Sequence, residues 1–232
     1  MGNQNDSEIT SAGNPLLESV SRHWPSLQIR FKTACSLFLN IAKPDDTVTP
    51  RHHIVILLKS LLEILAELSG LCGDFIADRF INGIWPQISL LLDHFLVLHH
   101  STGSSALYAP TSDSTLLLSI LNCMNKMYSS KSCGKMLANT TSIAGTMILP
   151  FLSSDSQIGE STMNVVQSIL RIDYDCLWRA LTSCSGSGLA QRPLFPHPNK
   201  SHVNAQSLDP LLAKRSKDLM DFIDKLPEQS LQ

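Results

Sequence analysis

The chain has 232 residues, of which 43% are apolar and 16% charged, enough for one sizeable helical domain or a short repeat array. A formal charge of −2, from 18 basic and 20 acidic residues spread along the chain, gives no electrostatic footprint for nucleic acid or an anionic membrane surface. The low share of charge points instead to surface that a protein partner covers.

The first 13 residues, "MGNQNDSEITSAG", read as a disordered tail. They approach a myristoylation signal, but Asp6 stands where the hydroxyl residue is wanted. From Pro15 the run "PLLESVSRHWPSLQIRF" places Leu16, Leu17, Val20, Trp24 and Leu27 at helical spacing, with Pro25 inside the helix. These residues form an apolar face with no preceding helix to cover it, and Leu16, Leu17 and Val20 are candidate interface residues. A fold-back of Phe31, Leu37, Phe38 and Ile41 over that face is the competing expectation.

After the break "KPDDTVTP" (43–50) comes "IVILLKSLLEILAELSGL" (54–71), whose length suits a membrane span until Lys59, Glu63 and Glu67 are counted. Four-residue spacing puts those charges in one stripe on a helix that is otherwise almost all Leu, Ile and Val. Burial on more than one side is expected. Next, "GDFIADRFINGIWPQISLLL" (73–92) reads as one amphipathic helix with Trp85 and Pro86 in its middle. Further breaks fall at 100–113, 129–134 and 153–159. Met163, Val166, Leu170, Tyr174, Leu177 and Leu181 then share a face. A Pro- and Ser-rich loop (185–209) leads to a terminal helix at 210–228 with Leu212, Leu219, Ile223 and Leu226 on one side.

The pattern predicts an all-α fold in antiparallel pairs near 15–42, 53–98, 113–152 and 158–184, followed by the terminal helix. Trp24 and Trp85 are 61 residues apart, and Pro86 and Pro150 are 64 apart, the spacing of helical hairpins that carry loop insertions. A proline costs an isolated helix about 3 kcal/mol. In stacked hairpins, however, the second helix must bend, and a proline with an adjacent Trp can supply the bend and fill the gap between layers. This is the logic of an α-solenoid of HEAT type, spanning 14–184.

The turn residues have structural roles. Gly73 can follow a helix in a conformation other residues resist, Asp74 can cap the next helix, and Phe75 can pack inward. Asp173 can act likewise for a short helix carrying Trp178. Arg79 either pairs with a neighbouring carboxylate or projects to a partner, with the internal role preferred. Catalytic and metal readings are weak. His52 with His53, Asp93 with His94 and His99 with His100 do not share the spacing of a helical metal site, and Ser185 to Gly188 lacks the nucleophile elbow. No enzyme activity, cofactor, metal or small-molecule substrate is expected. Six cysteines without a CxxC pair, and no secretory signal, point to a reduced intracellular compartment.

The segments "LLESVSRHWPSL", "LLEILAELSGLCGDFIADRFINGIWPQIS", "LRIDYDCLWRAL" and "LFPHPN" together resemble the carboxy-terminal HEAT region of the family of the TELO-two-interacting protein, first member, over about residues 15 to 226. The most specific pieces are Gly73, Asp74 and Phe75 with Arg79 and Phe80, and Asp173, Tyr174 and Asp175 with Trp178. The segment "IRFKTACSLFLNIAKPDDTVTPRHH" departs from the family, whose members have a short turn there. The resemblance implies a non-catalytic scaffold of the Triple T co-chaperone complex. Its implied partners are the other Triple T subunits and the phosphatidylinositol-3-kinase-related kinases whose maturation that complex supports. Cytoplasm is the implied location, with the nucleus as a second one. A generic HEAT or armadillo adaptor holding a peptide or transport cargo is the alternative. Such readers carry ladders of Trp and Asn, whereas Trp24, Trp85 and Trp178 each sit in an apolar run.

Overall fold

The computed structural model describes residues 15–41, 48–102, 112–154, 156–173, 210–223 and 225. The expected tail at 1–13, the loop at 185–209, Trp178 and the second helix of the 158–184 pair lie outside them. Among the described residues the elements are all helical: α1 (Pro15–Asn40), α2 (Val48–Cys72), α3 (Asp74–Arg79), a π-turn (Phe80–Ile84), α4 (Trp85–Thr102) and α5 (Ser112–Ser129). There follow α6 (Lys131–Leu137), a 3-10 turn (Ala138–Thr140), α7 (Thr141–Ile148), a second 3-10 turn (Leu149–Ser153), α8 (Ser156–Ile172) and α9 (Pro210–Ile223).

Two layers result. In the first, α2 packs on α5 and α5 on α8; in the second, α1 packs on α4 and α4 on α7, and each pair is closed by contacts between layers. α9 lies against α8 and the second 3-10 turn. The apolar periodicity explains the packing. On α8, Met163, Val165, Val166, Ile169 and Leu170 are buried, and on α1 the buried set is Trp24, Phe31, Ala34, Cys35 and Phe38.

The expected pair at 15–42 is a single helix. No Gly or Pro follows Pro25 until Pro44, and Phe31, Cys35 and Phe38 continue the face that Trp24 begins, so nothing stops α1 before Asn40. The fold-back cap therefore does not form. Phe31 and Phe38 enter the core, Phe38 beside Phe95 of α4 and beneath the Arg51 guanidinium of α2, while Leu37 is exposed. The residues expected to lie open are largely covered instead by neighbouring helices: Trp24 is buried, Leu17, Val20 and Leu27 pack against the core, and Leu16 stays exposed.

The three prolines occupy three backbone environments. Pro25 sits on the exposed side of an unbroken α1. Pro86 is the second residue of α4, directly after the π-turn. There Trp85 N–H donates to Phe80 O, five residues back, so the helix is widened where Pro86 lacks a donor and would crowd the preceding turn. Pro150 lies in a 3-10 turn that ends α7. The end of the Gln28 side chain of α1 lies against Gly83 in the π-turn: a Cβ there would lie 2.8 Å from Gln28 Nε2.

Polar staples join successive pairs. Arg51 of α2 grips Asp113 of α5 with Nη2 2.7 Å from Oδ2 and Nε 3.3 Å from Oδ1, and Lys126 of α5 pairs with Glu67 of α2. Cys133 Sγ–H donates to Gly73 O at 3.2 Å, and Ser130 Oγ–H to Ser69 O at 3.5 Å. Between α5 and α8, Ser168 donates to Asn125 Oδ1 at 2.8 Å. At the far end Arg215 of α9 is buried and its Nη1 donates to Leu152 O (2.5 Å) and Ser154 O (2.6 Å), closing carbonyls that the 3-10 turn leaves unused.

Candidate functional site

The turn between α2 and α3 is built on Gly73, whose φ of 47° and ψ of −124° lie in a region open to glycine. Its carbonyl accepts from Ile76 N–H and Ala77 N–H, both at 3.1 Å, which starts α3. Gly73 is thus the cap position. Asp74, expected as the cap, is instead the first helical residue, with no side-chain capping bond; it is exposed, and its carboxylate sits near the positive helix end. Phe75 packs against the core edge and carries the Arg79 guanidinium 3.5 Å above its ring. Arg79 Nη1 also donates to Phe75 O at 3.3 Å. Its partner is thus a ring and a carbonyl rather than the carboxylate expected. Asp78 is engaged by Asn82, whose Nδ2 lies 3.0 Å from Oδ1.

Trp85 is buried beside Phe80, with ring centroids 6.3 Å apart, and Trp24 is buried at the α1 end of the same layer. Pro86 is exposed, and Pro150 is half-buried. Asp173 follows α8 directly, its amide donating to Ile169 O at 3.0 Å.

A polar cluster lies where α1, α2, α4 and α5 meet. Besides gripping Asp113, Arg51 lies 4.5 Å from the Phe38 ring centroid and donates to Ile41 O at 3.4 Å. His94 stacks edge-on to Phe38 and Phe95. Burial lowers its pKa from 6.5; the Asp113 carboxylate opposes the shift and the Arg51 guanidinium adds to it. The buried thiols of Cys35 and Cys123 are pushed up to about 12 by desolvation, which keeps them protonated. Among the described residues no three His, Cys, Asp or Glu side chains converge on a metal position.

What the surface does offer is aliphatic. α2 was expected to be buried on more than one side; it packs on α1, α3 and α5 but leaves Ile56, Leu57, Ile64 and Leu71 exposed. In the second layer Ile29 and Leu37 of α1, Leu90 and Val97 of α4, and Ile143 of α7 are exposed as well. Sequence periodicity missed these because α2 and α4 carry Leu and Ile on nearly every side, which hides the core-facing face. The only available signal was the seven-residue spacing of Leu57, Ile64 and Leu71 and of Leu90 and Val97. The stretch Asp74–His99 is long and apolar enough, by length and composition, to cross a membrane. Here its apolar character serves packing: Ile76, Ala77, Phe80, Ile84, Ile88, Leu91, Leu92 and Phe95 are all fully buried.

Comparison with protein families matches residues 49–178, more than half of the chain, to the family described as the TTI1 C-terminal TPR domain. The comparisons with curated proteins and with solved structures found no match.

Proposed function

The chain belongs to the TTI1 C-terminal TPR domain family, and from that membership we propose that it is a scaffold in a Triple T-like co-chaperone assembly. In this reading it binds the other Triple T subunits and supports the maturation and stability of phosphatidylinositol-3-kinase-related kinases, in the cytoplasm and the nucleus. The mechanism is contact rather than chemistry. Helical-repeat domains of this type mediate protein–protein interaction and are generally non-catalytic. The observation that supports the reading is the set of aliphatic side chains exposed on both layers, at Ile29, Leu37, Ile56, Leu57, Ile64, Leu71, Leu90, Val97 and Ile143. Affinity purification of the tagged chain with quantitative mass spectrometry tests it. Enrichment of both Triple T partners together with the kinases is expected, and their joint absence overturns the proposal. Recovery of unrelated extended-peptide ligands would favour the generic adaptor.

A further inference from the structure

We propose that α9 is the resident occupant of a helix-docking seat, and that a partner helix with an Arg, an aliphatic residue four positions on and an aromatic residue seven positions on takes its place. The proposal rests on the scaffold reading, which supplies the partner.

The seat is made of backbone. Its features are the carbonyls of Leu152 and Ser154, which accept from Arg215 Nη1 at 2.5 and 2.6 Å, and Gly159 of α8, where a Cβ would lie 2.0 Å from the same nitrogen. None of these belongs to α9, so the seat can receive an arginine from any helix laid along α8. Leu219, four positions after Arg215, is buried; Phe222, seven positions after it, packs against the core, with Arg171 Cζ 5.3 Å from its ring centroid. That spacing puts the three anchors on one helical face. Lys214, Lys217, Asp218 and Asp221 are exposed.

The occupant is a helix because one already lies there, in the direction the first layer uses. Arg215 meets Gly159 near the start of α8, and Phe222, close to the end of α9, meets Arg171 near the end of α8, so the two helices run the same way. α5 runs the same way on α2, with Arg51 on Asp113 at their starts and Ser130 on Ser69 at their ends. Yet no tight turn places α9. α3 and α6 follow α2 and α5 after one residue, whereas residues 174–209 separate α9 from Asp173. Release lets water hydrate the guanidinium and both carbonyls, so docked and open forms differ by the modest net worth of these hydrogen bonds and the burial of Leu219 and part of Phe222. Such a margin allows one element to open while the others stay folded. A partner helix with the same anchors must then outweigh only the advantage α9 has from belonging to the same chain.

The test uses the full chain and a labelled helical peptide of unrelated sequence that carries only Arg, Leu and Phe at those spacings; in a second peptide the Arg is moved by two positions. Fluorescence anisotropy should show micromolar binding of the first peptide to the Arg215→Met chain, whose own α9 has lost its anchor, and at least about tenfold weaker binding to the unsubstituted chain. The shifted peptide should bind the Arg215→Met chain at least about tenfold more weakly than the first, and Gly159→Ala added to Arg215→Met should abolish binding of the first. In the unsubstituted chain at saturating peptide, hydrogen exchange should show α9 amides losing protection while α8 amides keep theirs. Equal binding of the two peptides, equal binding to the two chains, binding that survives Gly159→Ala, or no binding to a folded Arg215→Met chain would overturn the proposal. Should that variant not fold, exchange in the unsubstituted chain decides: α9 opening ahead of α8 and further with peptide supports the proposal, and α9 opening only together with α8 overturns it. A concentration-dependent dimer that Arg215→Met abolishes would give the seat to a second copy and overturn it as well. Failure of the scaffold reading is separate: it shows as loss of Triple T partners from the unsubstituted chain, whatever the peptides do.

Discussion

Replacing Gly159 by Ala should destabilise this protein, against the ordinary helical trend. In a helix interior Gly→Ala usually gains about 1 kcal/mol. At position 159 a Cβ would lie 2.0 Å from Arg215 Nη1 and 2.1 Å from Cζ, so the guanidinium must leave. Its departure breaks the bonds to Leu152 O and Ser154 O. Hydrogen bonds to a charged group contribute about 1.5–3 kcal/mol each, and because one Nη1 serves both carbonyls the pair is worth about 2–4 kcal/mol rather than a full sum. Setting the helical gain against that loss leaves a net destabilisation of about 1–3 kcal/mol. In an Arg215→Met background the obstruction is gone, and Gly159→Ala should then stabilise by about 1 kcal/mol. Urea unfolding of the four proteins, with hydrogen exchange on the α9 amides, measures both signs. A Gly159→Ala change that stabilises equally in both backgrounds would refute the account of how α9 is held.

Trp85→Ala removes a large buried side chain from beside Phe80 and should cost about 3–5 kcal/mol in denaturant unfolding; a variant that unfolds like the parent yet loses partners would make Trp85 a contact residue instead. Gly73→Ala forces a side chain into the φ 47° conformation and should cost about 1–3 kcal/mol, whereas Gly70→Ala, three residues earlier with open space around it, should gain up to about 1 kcal/mol. Equal thermal shifts for the two would contradict this. His94 is held below its ordinary value of 6.5 by burial, so the unfolded chain takes up that proton first. Stability should therefore decline as pH falls through 6.5, with the decline at this site complete once pH is below the folded value. His94→Gln should flatten that part of the profile, and an unchanged profile would show that His94 is not its source.

The repeat was legible before any coordinates. The separations of 61 and 64 residues between the Trp pair and the Pro pair reappear as tertiary register: Arg51 meets Asp113, Ser69 meets Ser130 and Gly73 meets Cys133, at separations of 62, 61 and 60. The buried face of α8 was equally plain, because polar residues such as Asn164 mark its other side. Resemblance located the Gly73 turn, whose backbone conformation explains the glycine.

Three features depended on the folded chain. On α2, the stripe of Lys59, Glu63 and Glu67 marks one outward side, but Leu and Ile fill the rest of the circumference, so periodicity does not show how far the exposed side extends; the positions of α1, α3 and α5 decide that Leu58, Leu62 and Leu65 go inside and Leu57, Ile64 and Leu71 stay out. The π-turn at Phe80–Ile84 answers Pro86 with one widened turn, in which the Trp85 amide bonds five residues back, and the Gln28 side chain of α1 lies against Gly83 there. Arg215 binds carbonyls 61 and 63 residues earlier in the chain. A lone arginine on an amphipathic helix looks like a solvated charge. Only the docking of α9 against the 3-10 turn supplies the unpaired carbonyls that make it a buried clamp, since hydrogen-bond partners distant in sequence leave no local pattern to read.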